Sequence, residues 1–125
     1  MHTPIRPVTP FPGLPDHLEF ELSSLDDQGT LFALRSTTNT NVRLFVIRPE
    51  VFWAGYKPEI GPSLLETIGL LDGEEFVLLV VVHPGSDTVP PTANLLAPIL
   101  INPTTGAASQ VILNDSDWPL QAPLG

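Results

Sequence analysis

The side chains able to do chemistry in this chain are few and poorly clustered. Of the three histidines, His83 alone lies in a strongly patterned stretch, where it ends an apolar run and precedes Pro84. No second histidine stands four positions away, and no acid follows until Asp87. A zinc site takes three or four ligands, so this spacing describes a solvent-facing histidine at a strand end. The run Asn114-Asp115-Ser116-Asp117 carries a fragment of calcium-loop spacing but lacks the loop's central glycine and closing glutamate, and reads as an exposed turn. No serine sits in Gly-x-Ser-x-Gly, and neither Gly-x-Gly-x-x-Gly nor Gly-x-x-x-x-Gly-Lys-Ser/Thr occurs. Glu74 and Glu75 follow Asp72-Gly73, which is the chemistry of a solvated turn. Acid–base catalysis by carboxylates distant in sequence stays open, because catalytic groups meet in space.

Two stretches fit binding better than catalysis. Val51-Phe52-Trp53-Ala54-Gly55-Tyr56 gathers three of the nine aromatic residues just past a strand-like run. Phe52, Trp53 and Tyr56 are types that anchor interfaces when presented, and equally types that close the open end of a barrel when tucked in. Thr92-Ala93-Asn94-Leu95-Leu96-Ala97-Pro98-Ile99 mixes small and apolar residues around Asn94, with Pro98 interrupting the strand pattern. Such a segment either bends within a core or leaves backbone amides and carbonyls free to pair with another chain.

Charge narrows the partners. With 5 Lys+Arg against 14 Asp+Glu the net charge is −9, too little basic surface for the phosphate contacts of nucleic-acid binding. An anionic membrane surface would repel it. Residues 1–57 hold six acids and all five bases, whereas residues 58–125 hold eight acids and no base. A one-sided field of this kind speeds encounter with a basic partner, and it also keeps a chain soluble. Without cysteine there is no disulfide, no thiolate nucleophile and no Cys-based zinc site, which fits a reducing compartment. The opening residues lack the charged segment and apolar stretch of a signal peptide, so a cytoplasmic location is expected.

The elements that must position these residues are short. A length of 125 residues with 42% apolar content bounds one domain. Fifteen prolines and nine glycines stay below the roughly 25–30% that marks low-complexity chains. Prolines at 4, 7, 10 and 12 describe an extended arm over residues 1–12, where neither a helix nor a central strand is expected, followed by a single domain over 13–125. Leu18, Phe20 and Leu22 alternate with Glu19 and Glu21 as a half-buried strand. The turn Asp26-Asp27-Gln28-Gly29 leads into a strand at Leu31–Ser36, a polar loop at Thr37–Asn41 and a return strand at Val42–Ile47. The runs Phe76–Val82 and Leu95–Ile101 do not alternate and fall far short of the ~18 apolar residues of a membrane span. They read as strands apolar on both faces, which requires a closed or covered sheet, with Pro98 at an edge, bend or bulge. Asn102-Pro103-Thr104-Thr105-Gly106 is a turn into a partner strand at Ser109–Leu113. One helix is expected near residues 63–69, with Ser63 and Glu66 as a capping box, Leu64, Leu65 and Ile68 as its apolar face and Gly69 as its stop.

At these residues the sequence resembles the FliW family of flagellar assembly factors. Thr92-Ala-Asn-Leu-Leu-Ala-Pro-Ile-Leu-Ile-Asn102, followed by Gln110-Val-Ile-Leu-Asn-Asp115, is similar to the family's Thr-Ala-Asn-Leu-x-Ala-Pro-Ile-x-Ile-Asn and Gln-Val-x-Leu patterns. Pro49-Glu-Val-Phe-Trp-Ala-Gly-Tyr56 is similar to its Pro-x-x-Phe-Phe-x-x-Tyr loop, and Phe11-Pro-Gly-Leu-Pro15 to its Phe-x-x-Gly-Leu-Pro opening. Two departures stand out. Asp16-His17 takes the place of the family's Gly-Phe, and the proline-rich arm takes the place of its leading strand.

The resemblance implies a small all-β, mostly antiparallel, barrel-like domain that works by protein binding, with no catalysis, no metal and no cofactor. It implies two partners in the cytoplasm, flagellin and the RNA-binding translational repressor CsrA, with no direct nucleic-acid or membrane contact. Antagonism of CsrA then couples flagellin synthesis to flagellin level. Partner contact is expected at Phe52, Trp53 and Tyr56 in the aromatic loop, and at Asn94, Ala97, Pro98, Ile99 and Asn102 along the signature strand. Since CsrA is basic, the half without bases is expected to face it, with Glu74, Glu75 and Asp87 speeding association. An export-linked flagellin chaperone that never meets CsrA would use the same residues. A small carboxylate-dependent enzyme on a barrel is the alternative of another class.

Overall fold

The turn-bounded apolar runs become strands of one closed sheet. The computed structural model describes residues 2–14, 18–39, 41–71, 73–113 and 117–124. Among them run β1 (His2–Pro7), β2 (Phe20–Ser24), β3 (Leu31–Ser36), β4 (Arg43–Ile47), β5 (Val77–His83), β6 (Thr92–Ala93), β7 (Ile99–Ile101), β8 (Ala107–Gln110) and β9 (Ala122–Pro123), with the short helix α1 at Pro62–Thr67. The order β4-β3-β2-β1-β8-β7-β5 closes through a β4–β5 pairing into a barrel. Its pairs are antiparallel except β1–β8, which is parallel, so the barrel is mixed. β6 pairs with the end of β5, and β9 pairs with β6.

The proline-rich start is not an arm beside the sheet. It is β1, paired with β2 from His2↔Ser23 to Ile5↔Phe20 and with β8 through Arg6↔Ala107 and Pro7↔Ala108. The prolines fit because of where their missing N–H groups would point. Arg6 N–H donates to the Gly106 carbonyl and Val8 N–H to Ala108, so even-numbered amides face β8. Pro4 shares that parity but lies beyond the parallel ladder, and Pro7, of the other parity, lies beyond the last β1–β2 pair. Neither removes a bond that the barrel needs.

The two non-alternating runs are explained by burial on both sides. The barrel interior is Ile5, Phe11, Phe20, Leu34, Val46, Leu79, Ile99, Ile101 and Ala108, drawing on every strand of the ring. On the outside, Ile47, Val80, Val82, Ala93 and Leu95 are covered by Tyr56, Trp53, Trp118 and Leu124. A further outer patch joins Leu65, Ile68 and Leu70, in and just after α1, to Leu100, Val111 and Leu113. β5 therefore sends Leu79 inward and Val80 outward, each into an apolar cluster.

Several boundaries differ from the sequence expectation. Leu18 lies outside β2 and is exposed, because the β1–β2 ladder ends at Phe20. The capping box does not form. Pro62 takes the first helical position behind Gly61, which places Ser63 inside the helix, and no side chain caps it. Gly69 does end the helix, with φ +81°. The run Leu95–Ile101 is not one strand, since only Ile99–Ile101 pairs as β7 while Asn94–Pro98 turns out of the ladder. The return strand begins at Ala107 rather than Ser109, because Asn102 N–H to Ala107 O and Gly106 N–H to Asn102 O make the connecting turn tight. The Asn114-Asp115-Ser116 part of the acidic run and the Pro15-Asp16-His17 end of the opening motif lie outside the described residues, as does Asp72.

Candidate functional site

The expected contact residues separate into two apolar grooves and a buried framework that shapes them. The first groove lies on the outer face of β3, β4 and β5. Leu31 pairs with Ile47 and Phe45 with Val82 to give its floor, and Phe52 and Leu124 wall it. Its volume is about 420 Å3. A 3-10 turn at Pro49–Val51 carries the chain off the end of β4 and leaves Phe52 46% exposed at the rim. Trp53 is half-buried beside it, with ring centroids 5.8 Å apart. Asp26 lines the groove too, but its two carboxylate oxygens accept the amides of Thr30 at 3.0 Å and Leu31 at 3.2 Å.

Tyr56 faces the other way. It is buried, its hydroxyl donates to the Leu95 carbonyl at 2.8 Å, and Trp118 meets its ring edge-on at 4.6 Å. Burial pushes its phenol up to about 12. The aromatic loop thus divides, with Phe52 exposed and Tyr56 buried against the outer face of the barrel rather than over its open end.

The second groove, about 390 Å3, opens where the chain leaves the barrel wall between β6 and β7. Asn94 Oδ1 accepts the amides of Leu96 at 3.1 Å and Ala97 at 3.0 Å, folding the segment into a side-chain-closed turn. Phe11, Leu44, Val81 and Ala97 line the opening, with Ile112 and Leu120 exposed at its edge. Asn94 itself is half-buried in the lining.

The signature segment offers little backbone to another chain. The carbonyls of Leu96 and Pro98 accept the amides of Leu113 and Val111, and that of Ala97 accepts Gln110 Nε2 at 3.0 Å. The amides of Asn94 and Leu95 donate to Val81 O and Pro119 O. Contact here must come through side chains. Pro98 is buried and Ile99 is 0% exposed in the barrel interior. Asn102 is buried as well. Its Nδ2 donates to the Ile68 carbonyl at 2.9 Å, its Oδ1 accepts Thr104 N–H at 3.0 Å, and it thereby ties the β7–β8 turn to the end of α1.

Of the expected contact residues, Phe52 lines the first groove with Trp53 packed beside it, and Asn94 and Ala97 line the second. Tyr56, Pro98, Ile99 and Asn102 lie beneath the surface. The exposed pair Ile112 and Leu120 escaped sequence reasoning. One signal was available for the first: Val111-Ile112-Leu113 is an apolar run in an extended segment, and alternation turns its middle residue away from the covered face.

The FliW family model, described as FliW protein, matches residues 3–124. The chain belongs to the FliW family. The flagellar assembly factor FliW of Bacillus subtilis is 32% identical over 91% of this chain and 80% of its own length. That of Symbiobacterium thermophilum is 33% identical over 90% of this chain and 82% of its own. A crystal structure of a flagellar assembly factor FliW superposes with a TM-score of 0.87 over 98% of this chain and 85% of that one, at 24% identity, and supports the FliW barrel as the fold. Family membership gives the chain the coarse role that its relatives' names carry, a factor in flagellar assembly.

Proposed function

We propose that the chain is a non-enzymatic, cytoplasmic assembly factor that binds flagellin and the translational repressor CsrA, and that it antagonises CsrA so that flagellin synthesis follows flagellin level. The observation that carries this reading is the pair of apolar grooves with exposed rims at Phe52 and at Ile112 and Leu120. Exposed apolar residues gathered around concave surfaces mark protein-interaction sites. Among the described residues Asp26 is the one carboxylate that lines either groove, and both its oxygens hold backbone amides. Among the described residues no cluster of histidine and acid side chains has metal-site geometry, and no helix is long and apolar enough to cross a membrane.

The charge division supports a basic partner for residues 58–125. A translation reporter repressed by CsrA on a flagellin leader tests the regulatory half of the proposal. Adding the chain should relieve repression, and adding flagellin with it should restore repression. Unrelieved repression at saturating protein would leave only the chaperone role.

A further inference from the structure

On the outer face of the barrel the Phe52 groove continues into a basic spot. Side chains two apart on a strand share a face, so β4 presents Arg43, Phe45 and Ile47 in line, and β3 presents Arg35, Ala33 and Leu31 beside them. Arg35 and Arg43 stand directly opposite each other, and both are exposed. The Arg43 guanidinium lies over the Phe45 ring, 5.1 Å from its centroid, at the edge of the groove floor. A guanidinium stacked in this way keeps its N–H edge for a carboxylate.

Setting the two arginines opposite one another carries an electrostatic cost. Like charges opposite one another on neighbouring strands destabilise the pairing. The chain has only five basic residues in all, yet two are set side by side here, within a molecule of net charge −9. Glu21 is the cross-strand partner of Arg35 on its other side, so Arg43, nearest the groove, is the end of the row that an incoming acid meets.

We propose that the Phe52 groove is a docking site for a short segment of a partner protein that carries an apolar side chain a few residues from one or more carboxylates. The apolar residue fills the cleft between Phe45, Ile47, Phe52 and Leu124, and the carboxylate pairs with Arg43 and Arg35. Two residues of extended chain span about 7 Å, the distance from the Phe45 row to the arginine row, so anchor and acid stand about two positions apart in an extended segment or one turn apart in a helix. A strongly acidic protein as a whole would be repelled by this chain's own charge, so the acidity must be local to the segment. The proposal rests on reading the groove as a partner-contact surface, and holds whichever protein supplies the segment.

Selection of random twelve-residue peptides displayed on phage against the full-length chain tests it. Enriched peptides should pair a leucine or aromatic residue with a nearby aspartate or glutamate. Their synthetic forms should shift the amide resonances of Leu31, Phe45 and Val82. Arg43→Glu should weaken them about tenfold or more while leaving the melting temperature nearly unchanged, and replacing the peptide's acids by their amides should do the same to the unaltered chain. Phe52→Ala, a second exposed position, should also weaken them. No enrichment, enrichment of peptides without acids, equal binding to Arg43→Glu, or resonance shifts confined to the second groove would each overturn the proposal. If the chain nonetheless binds flagellin or CsrA, the failure is that of this segment chemistry and not of the assembly-factor reading.

Discussion

The Tyr56 hydroxyl donates to the Leu95 carbonyl at 2.8 Å, joining the aromatic loop to the signature segment across 39 positions of sequence. Each groove is bordered by one of these two segments, Phe52 coming from the first and Asn94 and Ala97 from the second. The bond therefore fixes the two candidate surfaces relative to one another. Tyr56→Phe removes the donor and leaves a buried carbonyl unpaired, at a cost of about 1–3 kcal/mol. Urea denaturation should show that loss. The pH dependence has a definite sign. Folding raises the phenol from 10.0 to about 12, so its contribution is complete below pH 10 and is lost as pH climbs towards the folded value. The wild-type chain should lose stability over that window more steeply than Tyr56→Phe.

Gly106→Ala tests the parallel seam between β1 and β8. Gly106 has φ +81°, and a Cβ there would run into the Pro4 carbonyl oxygen. The left-handed backbone alone costs about 1–3 kcal/mol for another residue, and the clash is with backbone that cannot rotate away. Thermal melting should fall sharply, and hydrogen exchange should quicken first at the Arg6 and Val8 amides that bond across this seam.

Ile99→Ala and Phe52→Ala should separate core from surface. Ile99 is 0% exposed in the barrel interior, and its truncation should cost about 2–5 kcal/mol. Phe52 is 46% exposed, and its truncation should change stability by no more than about 0.5 kcal/mol while weakening partner binding. Melting and binding measured on the same two proteins give the comparison.

The β2–β3 turn, β5 and the Asn102–Gly106 turn were legible because their signals are local: Asp26 and Gly29, an apolar run, a proline and a glycine at turn positions. β1 was not legible. Proline disfavours a strand only where its absent N–H would face a partner, and that direction depends on β2 and β8, which lie far along the chain. The signature residues could be picked out by pattern, but their work could not. Asn102 holds the Ile68 carbonyl and Gln110 holds that of Ala97, partners that only the fold brings near. The grooves were hidden for the same reason, since Phe11, Leu44, Ile112 and Leu120 converge from distant segments.

Charge should act on rate. Replacing Glu74, Glu75 and Asp87 together by their amides removes three of the eight acids in residues 58–125. Association with CsrA should slow at low salt, with little change at high salt where the field is screened. Stopped-flow mixing at two ionic strengths reads this directly, and an unchanged low-salt rate removes the electrostatic role.

The most direct test of the proposed function is calorimetric titration of the purified chain with flagellin and with CsrA, each alone. Saturable binding to both is expected, with Phe52→Ala weakening at least one. Failure to bind either protein would contradict the reading and return the barrel to the search for a carboxylate-dependent enzyme.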